Sequence, residues 1–282
     1  MDPIISSNLL TSSTCLLFMP PHLFNSLPSW LVFDESNLSM ASWLLLLYGA
    51  FMWLACGFTL VISLNDERTL REVGIWVKPM KFMAATALFA WTTVWASHMA
   101  NPAVTQGPAY VGICALIMVT SFFEVAYITY QGSLGAASHY NTSDSIHALL
   151  FGLMGLAAVG LTASQGWLAW EIWKANGSVE LSTSALGVVI GLSLTFVLST
   201  LSGFLLGGQQ PPAGQGLPWV GWHLRGDVRP AHFLGVHAQQ FIPLLGWLAE
   251  RYLGHFGNPF LGIASGIYAL IWALLAWFSL GA

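Results

Sequence analysis

RGDVRPAHFLGVHAQQFIP, residues 225–243, places several polar side chains at the start of a long apolar segment. The polar members are Asp227, Arg229, His232, His237, Gln239 and Gln240. Polar groups at the end of a membrane helix are costly unless they are paired, hydrogen-bonded or used. The stretch therefore predicts a polar site at one end of a helix, to which the rest of the chain is expected to bring further polar groups.

The composition indicates a membrane protein. The 282 residues are 56% hydrophobic and only 7% charged, whereas soluble domains carry about 25% charged residues. The formal net charge is −4 and there is no basic run, so no nucleic-acid partner is expected. Cys15, Cys56 and Cys114 show no CxxC spacing, which argues against a disulfide framework or a cysteine-ligated metal.

Seven apolar segments are long enough, at ~20 residues, to cross the hydrocarbon core of a bilayer. They run roughly over 41–63, 79–98, 108–130, 145–168, 184–206, 230–252 and 258–280. Prolines near the segment starts fit helix first turns, where a missing N–H costs nothing. The pattern predicts an all-α, polytopic membrane bundle with seven transmembrane helices over residues 39–282. Residues 1–38 are expected to form an interfacial or extracytoplasmic arm.

Positive charges predict the orientation, because cytoplasmic loops carry an excess of Lys and Arg. Six of the eight Lys and Arg residues flank one side of the predicted bundle, namely Arg68, Arg71, Lys78, Lys81, Arg225 and Arg229. Lys174 and Arg251 flank the other side. We therefore expect the N-terminus outside and the C-terminus inside.

The predicted inner side also holds five of the eight histidines: His139, His147, His223, His232 and His237. Neutral histidine ligates transition metals and titrates near neutrality. The candidate ligands of a transition metal are His139, His147, His232 and His237, and the candidates for binding a cofactor such as haem are His147, His232 and His237. His232 and His237 point about 140° apart on a helix, so a shared metal needs a ligand from another element.

Glu124 is the most distinctive carboxylate. It lies about 10 Å inside the end of its helix, counted from Gln131 at ~1.5 Å per residue. Ser121, Tyr127 and Gln131 fall within about 60° of it on the helical wheel and extend a polar stripe. Glu124 is either a functional acid or a protonated acid that is hydrogen-bonded to a neighbouring helix.

Three further residues complete the predicted catalytic set: Lys81, Asp227 and Arg229. Lys81 either extends to the interface or pairs with Glu124 or a substrate. Asp227 is alternatively an acceptor that caps the sixth helix, and Arg229 is alternatively a charge that only sets topology.

Three motifs resemble those of an uncharacterised group of bacterial polytopic membrane proteins. They are KPMKF at 78–82, SHYN at 138–141 and GDVRPAHFLGVH at 226–237. The resemblance implies a seven-span fold and brings no activity, cofactor or substrate with it. The inner (cytoplasmic) membrane of a bacterium is the expected location.

The sequence is compatible with three functions. The first is a metal- or haem-dependent enzyme with a cytosol-facing His/Glu/Asp site, which acts on a lipid-soluble small molecule. The second is a proton-coupled transporter of a small solute, with Glu124 and a histidine as the relay. The third is an accessory subunit of a larger membrane complex. Membrane lipids surround the protein in all three.

Overall fold

The structure of the protein is a computed structural model, which describes residues 38–176, 181–214, 216–217, 221–223 and 225–280. The predicted N-terminal arm lies outside the described residues except for Leu38. The described part of the chain forms seven α-helices: α1 (Met40–Ser63), α2 (Val77–Ala100), α3 (Pro108–Ser133), α4 (Ser145–Asn176), α5 (Thr183–Gly208), α6 (Arg229–Leu253) and α7 (Gly257–Leu280). A short antiparallel pair, β1 (Thr69–Leu70) and β2 (Val73–Gly74), joins α1 to α2. Two 3₁₀ helices, Pro102–Gln106 and Gly254–Phe256, precede α3 and α7.

Every apolar segment predicted from the sequence lies within one of these helices. Five helical stretches are long and apolar enough to cross a membrane: Met40–Ser63, Pro108–Ser133, Ser145–Asn176, Thr183–Gly208 and Arg229–Leu280. The last of these combines α6 and α7, and α2 is not among them. The protein is therefore an all-helical integral membrane protein.

Helix starts follow from local chemistry. Ser39 Oγ accepts the N–H of Ser42 at the start of α1, and Ser182 Oγ accepts the N–H of Ala185 at the start of α5. Ser is a favoured N-cap because its side-chain oxygen satisfies an otherwise unpaired N–H. Pro108 and Pro230 lie in the first turns of α3 and α6, where a missing N–H breaks no helical hydrogen bond.

Helix α2 lies at the centre of the bundle. It packs against α1, α3, α4, α5 and α6, and its residues Ala87, Ala90 and Val94 are fully buried. It is less apolar than α1, α3, α4 and α5, with two lysines near its start and three threonines along its length. Its three threonines, Thr86, Thr92 and Thr93, are buried in the interior of the bundle.

Helices α5 and α6 pack most closely. A Cβ atom at Gly187 would lie 3.0 Å from the Cα of Gly246, and one at Gly235 would lie 2.8 Å from the N atom of Ser199. At Gly191 it would lie 2.7 Å from the Cδ of Pro243, which lies within α6. Small residues allow such close approach of membrane helices. The two helices thus form a tightly packed pair beside α2.

Candidate functional site

The connection between α3 and α4, residues 134–144, folds against one end of the bundle. Gly135 has a positive φ of 68°, which turns the chain just after α3 ends. The Tyr140 hydroxyl donates to the carbonyl of Leu206 near the end of α5, and its ring lies 5.2 Å from that of Phe151. The side chain of Asn141 donates to the carbonyl of Ala137 at 3.0 Å. These contacts fix Ser138 and His139 in front of the start of α2.

Lys78, in the first turn of α2, joins this connection to α3. Its Nζ atom lies 2.9 Å from Ser138 Oγ and 2.9 Å from His139 Nδ1. Glu124, on α3, is only 7% exposed and interacts electrostatically with Lys78. We call Lys78, Glu124, Ser138 and His139 the Lys78 cluster. It places a carboxylate, an amine and an imidazole from three elements at one end of the bundle.

The chemistry of the amine assigns the protons of the cluster. A lysine ammonium has donors only, so His139 Nδ1 accepts from Lys78 and the ring proton resides on Nε2. Burial, followed by the electrostatic interactions with Lys78 and His232, lowers the pKa of His139 to about 3. His139 is therefore neutral at physiological pH and serves Lys78 as an acceptor.

The polar stripe of α3 faces inward as predicted. Ser121, Glu124, Tyr127 and Gln131 are all buried, and Ser121 Oγ lies 2.8 Å from the hydroxyl of Tyr48 on α1. Lys81, for which extension to the interface, a pair with Glu124 and a substrate contact were the alternatives, is exposed and interacts electrostatically with Arg229. Lys78, three residues earlier on the same helix, interacts electrostatically with Glu124.

Asp227 and Arg229 form an ion pair just before α6. Arg229 Nη2 lies 2.6 Å from Asp227 Oδ2, and the carboxylate also accepts the backbone N–H groups of His223 and Arg229 at 2.8 and 3.0 Å. Burial raises the pKa of Asp227, but these hydrogen bonds outweigh it and hold the pKa below its ordinary value. Arg229 also donates to the carbonyl of Gly221 at 2.8 Å. The geometry fits the capping alternative, because Asp227 accepts the first N–H of α6.

The predicted metal ligands lie in different surroundings. His147 Nδ1 pairs with Asp144 Oδ2 at 2.6 Å at the exposed start of α4. His232 Nδ1 lies 3.1 Å from Ser202 Oγ, and His237 Nδ1 lies 3.2 Å from Gln240 Oε1.

Within the ranges that the structure describes, no three or more His, Cys, Asp or Glu residues are placed to hold a metal ion. His139 interacts electrostatically with His232, and His232 with His237, yet His139, His147, His232 and His237 do not meet as such a group within those ranges. Binding of haem or a metal, with His147, His232 and His237 as cofactor ligands, stays a prediction. The described residues contain no group of ligands that supports it.

Two features were missed from the sequence. The first is Lys78. The sequence carried a signal for it, because the apolar residue Phe82 lies one helical turn later on the same face. In the structure Phe82 packs against buried residues, so this face points inward. The second is a layer of amide and hydroxyl side chains in the middle of the bundle, around Gln165 and Gln239. Both glutamines are fully buried, and a glutamine in the middle of an apolar helix was the signal.

Comparisons with protein-family models, with curated proteins and with solved structures found no match to this chain. The geometry of its own residues is thus the basis for a functional proposal.

Proposed function

We propose that the protein transports a small solute across a membrane in a step coupled to proton movement, with Glu124 of the Lys78 cluster as the proton carrier. One observation carries the proposal. Glu124 is buried inside the bundle and interacts electrostatically with an amine that is itself hydrogen-bonded to a neutral imidazole. Ionisable residues inside membrane proteins are costly and mark proton relays and substrate pathways.

The cluster links a proton to the packing of three elements. With Glu124 ionised, Lys78 is attracted to the carboxylate on α3 and hydrogen-bonded to residues 138 and 139 of the α3–α4 connection. When Glu124 takes up a proton, Lys78 loses that attraction and keeps only its hydrogen bonds to the connection. A proton shifts an equilibrium only if it binds two arrangements differently. The loss of this attraction supplies such a difference.

We further propose seven membrane crossings with the N-terminus outside. Helices α2, α6 and α7 contain 24, 25 and 24 residues. Each is therefore about 36 Å long at ~1.5 Å per residue, enough for a hydrocarbon core of ~30 Å. The positive φ of Gly254, 52°, favours a break that makes α6 and α7 separate crossings. The asymmetry of Lys and Arg supports the orientation, and the motif resemblance supports a bacterial inner membrane.

The other two functions lead to different partners. A lipid-soluble substrate belongs to the enzyme hypothesis, and subunits of a membrane complex belong to the accessory hypothesis. Metal analysis and an absorption spectrum of the purified protein test the first of these. A stoichiometric metal or a Soret band would favour the enzyme over the transporter.

The transport proposal is tested by replacing Glu124 with Gln, which keeps the shape and removes the titratable proton. Purified protein is reconstituted into liposomes that contain a pH-sensitive dye, and labelled neutral amides, polyols and amino acids are added one at a time under an imposed pH gradient. We expect the gradient to accelerate the uptake of at least one solute and the dye to report proton entry. Glu124→Gln should lower both signals to those of protein-free liposomes, with an unchanged melting temperature.

The matched control is Glu171→Gln, which removes a carboxylate that pairs with Lys174 on α4 at 2.7 Å. It should retain proton-coupled uptake. The proposal would be refuted if Glu124→Gln retained proton-coupled uptake at the wild-type level. It would also be refuted if the pH gradient did not change the uptake by the wild type.

A further inference from the structure

Uncharged polar side chains from four helices lie around the middle of the bundle. They are Thr92 and Thr93 of α2, Gln165 of α4, Thr195 and Ser199 of α5, and Gln239 and Gln240 of α6. We call these residues the central amide layer. It contains no Lys, Arg, Asp or Glu, in contrast to the Lys78 cluster.

Hydrogen bonds connect the members of this layer across helices. Gln165 Nε2 donates to Thr93 Oγ1 at 3.4 Å, and Gln240 Nε2 donates to Thr92 Oγ1 at 3.1 Å. The backbone N–H of Gln239 donates to Thr195 Oγ1 at 2.8 Å. Adjacent threonines on α2 and adjacent glutamines on α6 thus link α4, α2, α6 and α5 in turn.

Several polar atoms of the layer lack a hydrogen-bond partner among the described residues. Gln239 is 0% exposed, and neither its Nε2 nor its Oε1 atom has one; the same holds for Oε1 of Gln165, also 0% exposed. Ser199 Oγ is a further such atom. Buried polar atoms are almost always hydrogen-bonded, because an unmet donor or acceptor is costly. A leucine would fill the same space without this cost.

Pro243 adds another acceptor to this region. Proline has no N–H, so the carbonyl of Gln239 lacks the donor that a continuous helix would place four residues later. The side-chain amide and the backbone carbonyl of Gln239 thus offer donors and acceptors at one position.

We propose that the central amide layer binds a small uncharged solute that both donates and accepts hydrogen bonds, such as a simple amide or polyol. The proposal rests on the transport function above and names the class of solute carried. The layer contains no Lys or Arg for an anion, the ring of His237 beside it is engaged by Gln240 Oε1, and the unpartnered NH₂ group of Gln239 disfavours a cation. Because Gln165 and Gln239 are fully buried, a solute reaches them only when the helices move apart.

The test measures uptake of radiolabelled acetamide and glycerol into proteoliposomes with equal pH on both sides, so that no proton gradient contributes. The variants are Gln239→Leu and Gln165→Leu. We expect saturable uptake by the wild type for at least one of the two probes, and a fall to the level of protein-free liposomes in both variants. The melting temperatures should stay equal or rise, because leucine removes unpaired polar atoms.

The control is Gln209→Leu at the end of α5, where Nε2 donates to the carbonyl of Gly226 at 3.3 Å, outside the layer. It should keep wild-type uptake. Wild-type liposomes that take up neither probe faster than protein-free ones, or Leu variants with unchanged uptake, would overturn the proposal. A wild type that shows saturable uptake, lost in the Leu variants, but no proton entry in the dye assay would support the solute site. The same result would refute the proton coupling, and only that part of the transport proposal.

Discussion

Two Asp-X-Arg ion pairs lie in the predicted inner loops, Asp66–Arg68 after α1 and Asp227–Arg229 before α6. Their local geometry is nearly the same. In each pair the Arg side chain contacts both carboxylate oxygens, with Nη2 at 2.7 and 2.6 Å from Oδ2. In each the backbone N–H of the Arg donates to Oδ1, at 3.2 and 3.0 Å. In both pairs the carboxylate also accepts a hydrogen bond from another residue. Trp76 Nε1 donates to Asp66 and the backbone N–H of His223 donates to Asp227, each at 2.8 Å.

The difference lies in what surrounds them. The side chain of Asp66 is 16% exposed and that of Arg68 is 55% exposed, whereas Asp227 is 0% and Arg229 33% exposed. The Asp227 carbonyl also accepts from Ser279 Oγ of α7 at 2.8 Å. Exposed ion pairs contribute little to stability, whereas breaking a buried pair leaves an uncompensated charge. The short motif thus sets the geometry of each pair, and tertiary burial sets its energetic importance.

The sharpest test of this comparison is Asp227→Asn, which keeps the side-chain shape but leaves Arg229 without its counter-charge. We expect a loss of about 3 kcal/mol in the free energy of unfolding, in the lower range for one partner of a buried pair. Unfolding of the detergent-solubilised protein in mixed micelles measures it.

The matched variant is Asp66→Asn, which should lower the free energy of unfolding by only a small part of the Asp227→Asn effect. Equal losses in the two variants would mean that local geometry, and not burial, determines the contribution of each pair.

The helices could be predicted from the sequence because their signals are local. A run of about 20 apolar residues, closed by Pro, Gly or Asn, decides each helix without knowledge of its neighbours. The inward direction of Glu124 could also be predicted, since the stripe through Ser121, Tyr127 and Gln131 follows the helical period. The choice between Lys78 and Lys81 depended on where residues 138 and 139 fold, which is a tertiary contact. The histidines were assigned only by membrane side, and whether their rings meet as a metal-binding group depends on tertiary contacts in the same way; the described residues contain no such group.

The same contrast of burial separates two histidines in one loop region, His139 and His147. Burial is the main cause that lowers the pKa of His139 to about 3, while an unfolded histidine titrates near 6.5. Between these two pKa values the unfolded chain binds a proton that the folded chain does not. The free energy of unfolding is therefore unaffected by His139 above about pH 6.5 and decreases as the pH falls toward 3. We therefore expect His139→Gln to lose less stability than the wild type between pH 7.5 and pH 4.5, as measured by melting temperatures.

His147→Gln provides the comparison, because His147 pairs with Asp144 at the exposed start of α4. If the melting temperature becomes less dependent on pH in His139→Gln and not in His147→Gln, the pH dependence arises from the buried ring of His139. An equal flattening in both variants would mean that burial of His139 is not its cause.

Lys78 and Lys81 give the smallest and most local test, because both lie at the start of α2 and differ in their contacts. Lys78 binds His139 directly, and its charge is the second cause, after burial, that lowers the pKa of that ring.

Lys78→Met should therefore raise the pKa of His139, but only part of the way to its ordinary value, since burial persists. NMR titration of the ¹³C-labelled histidine ring, assigned with His139→Gln, measures the shift. Lys81 is exposed and interacts electrostatically with Arg229, whereas burial and the charge of Lys78 are the main causes that lower the pKa of His139, so Lys81→Met should produce a much smaller change. An unchanged pKa in Lys78→Met would mean that the amine does not act on His139, and the electrostatic link from Glu124 through Lys78 to the loop would be lost.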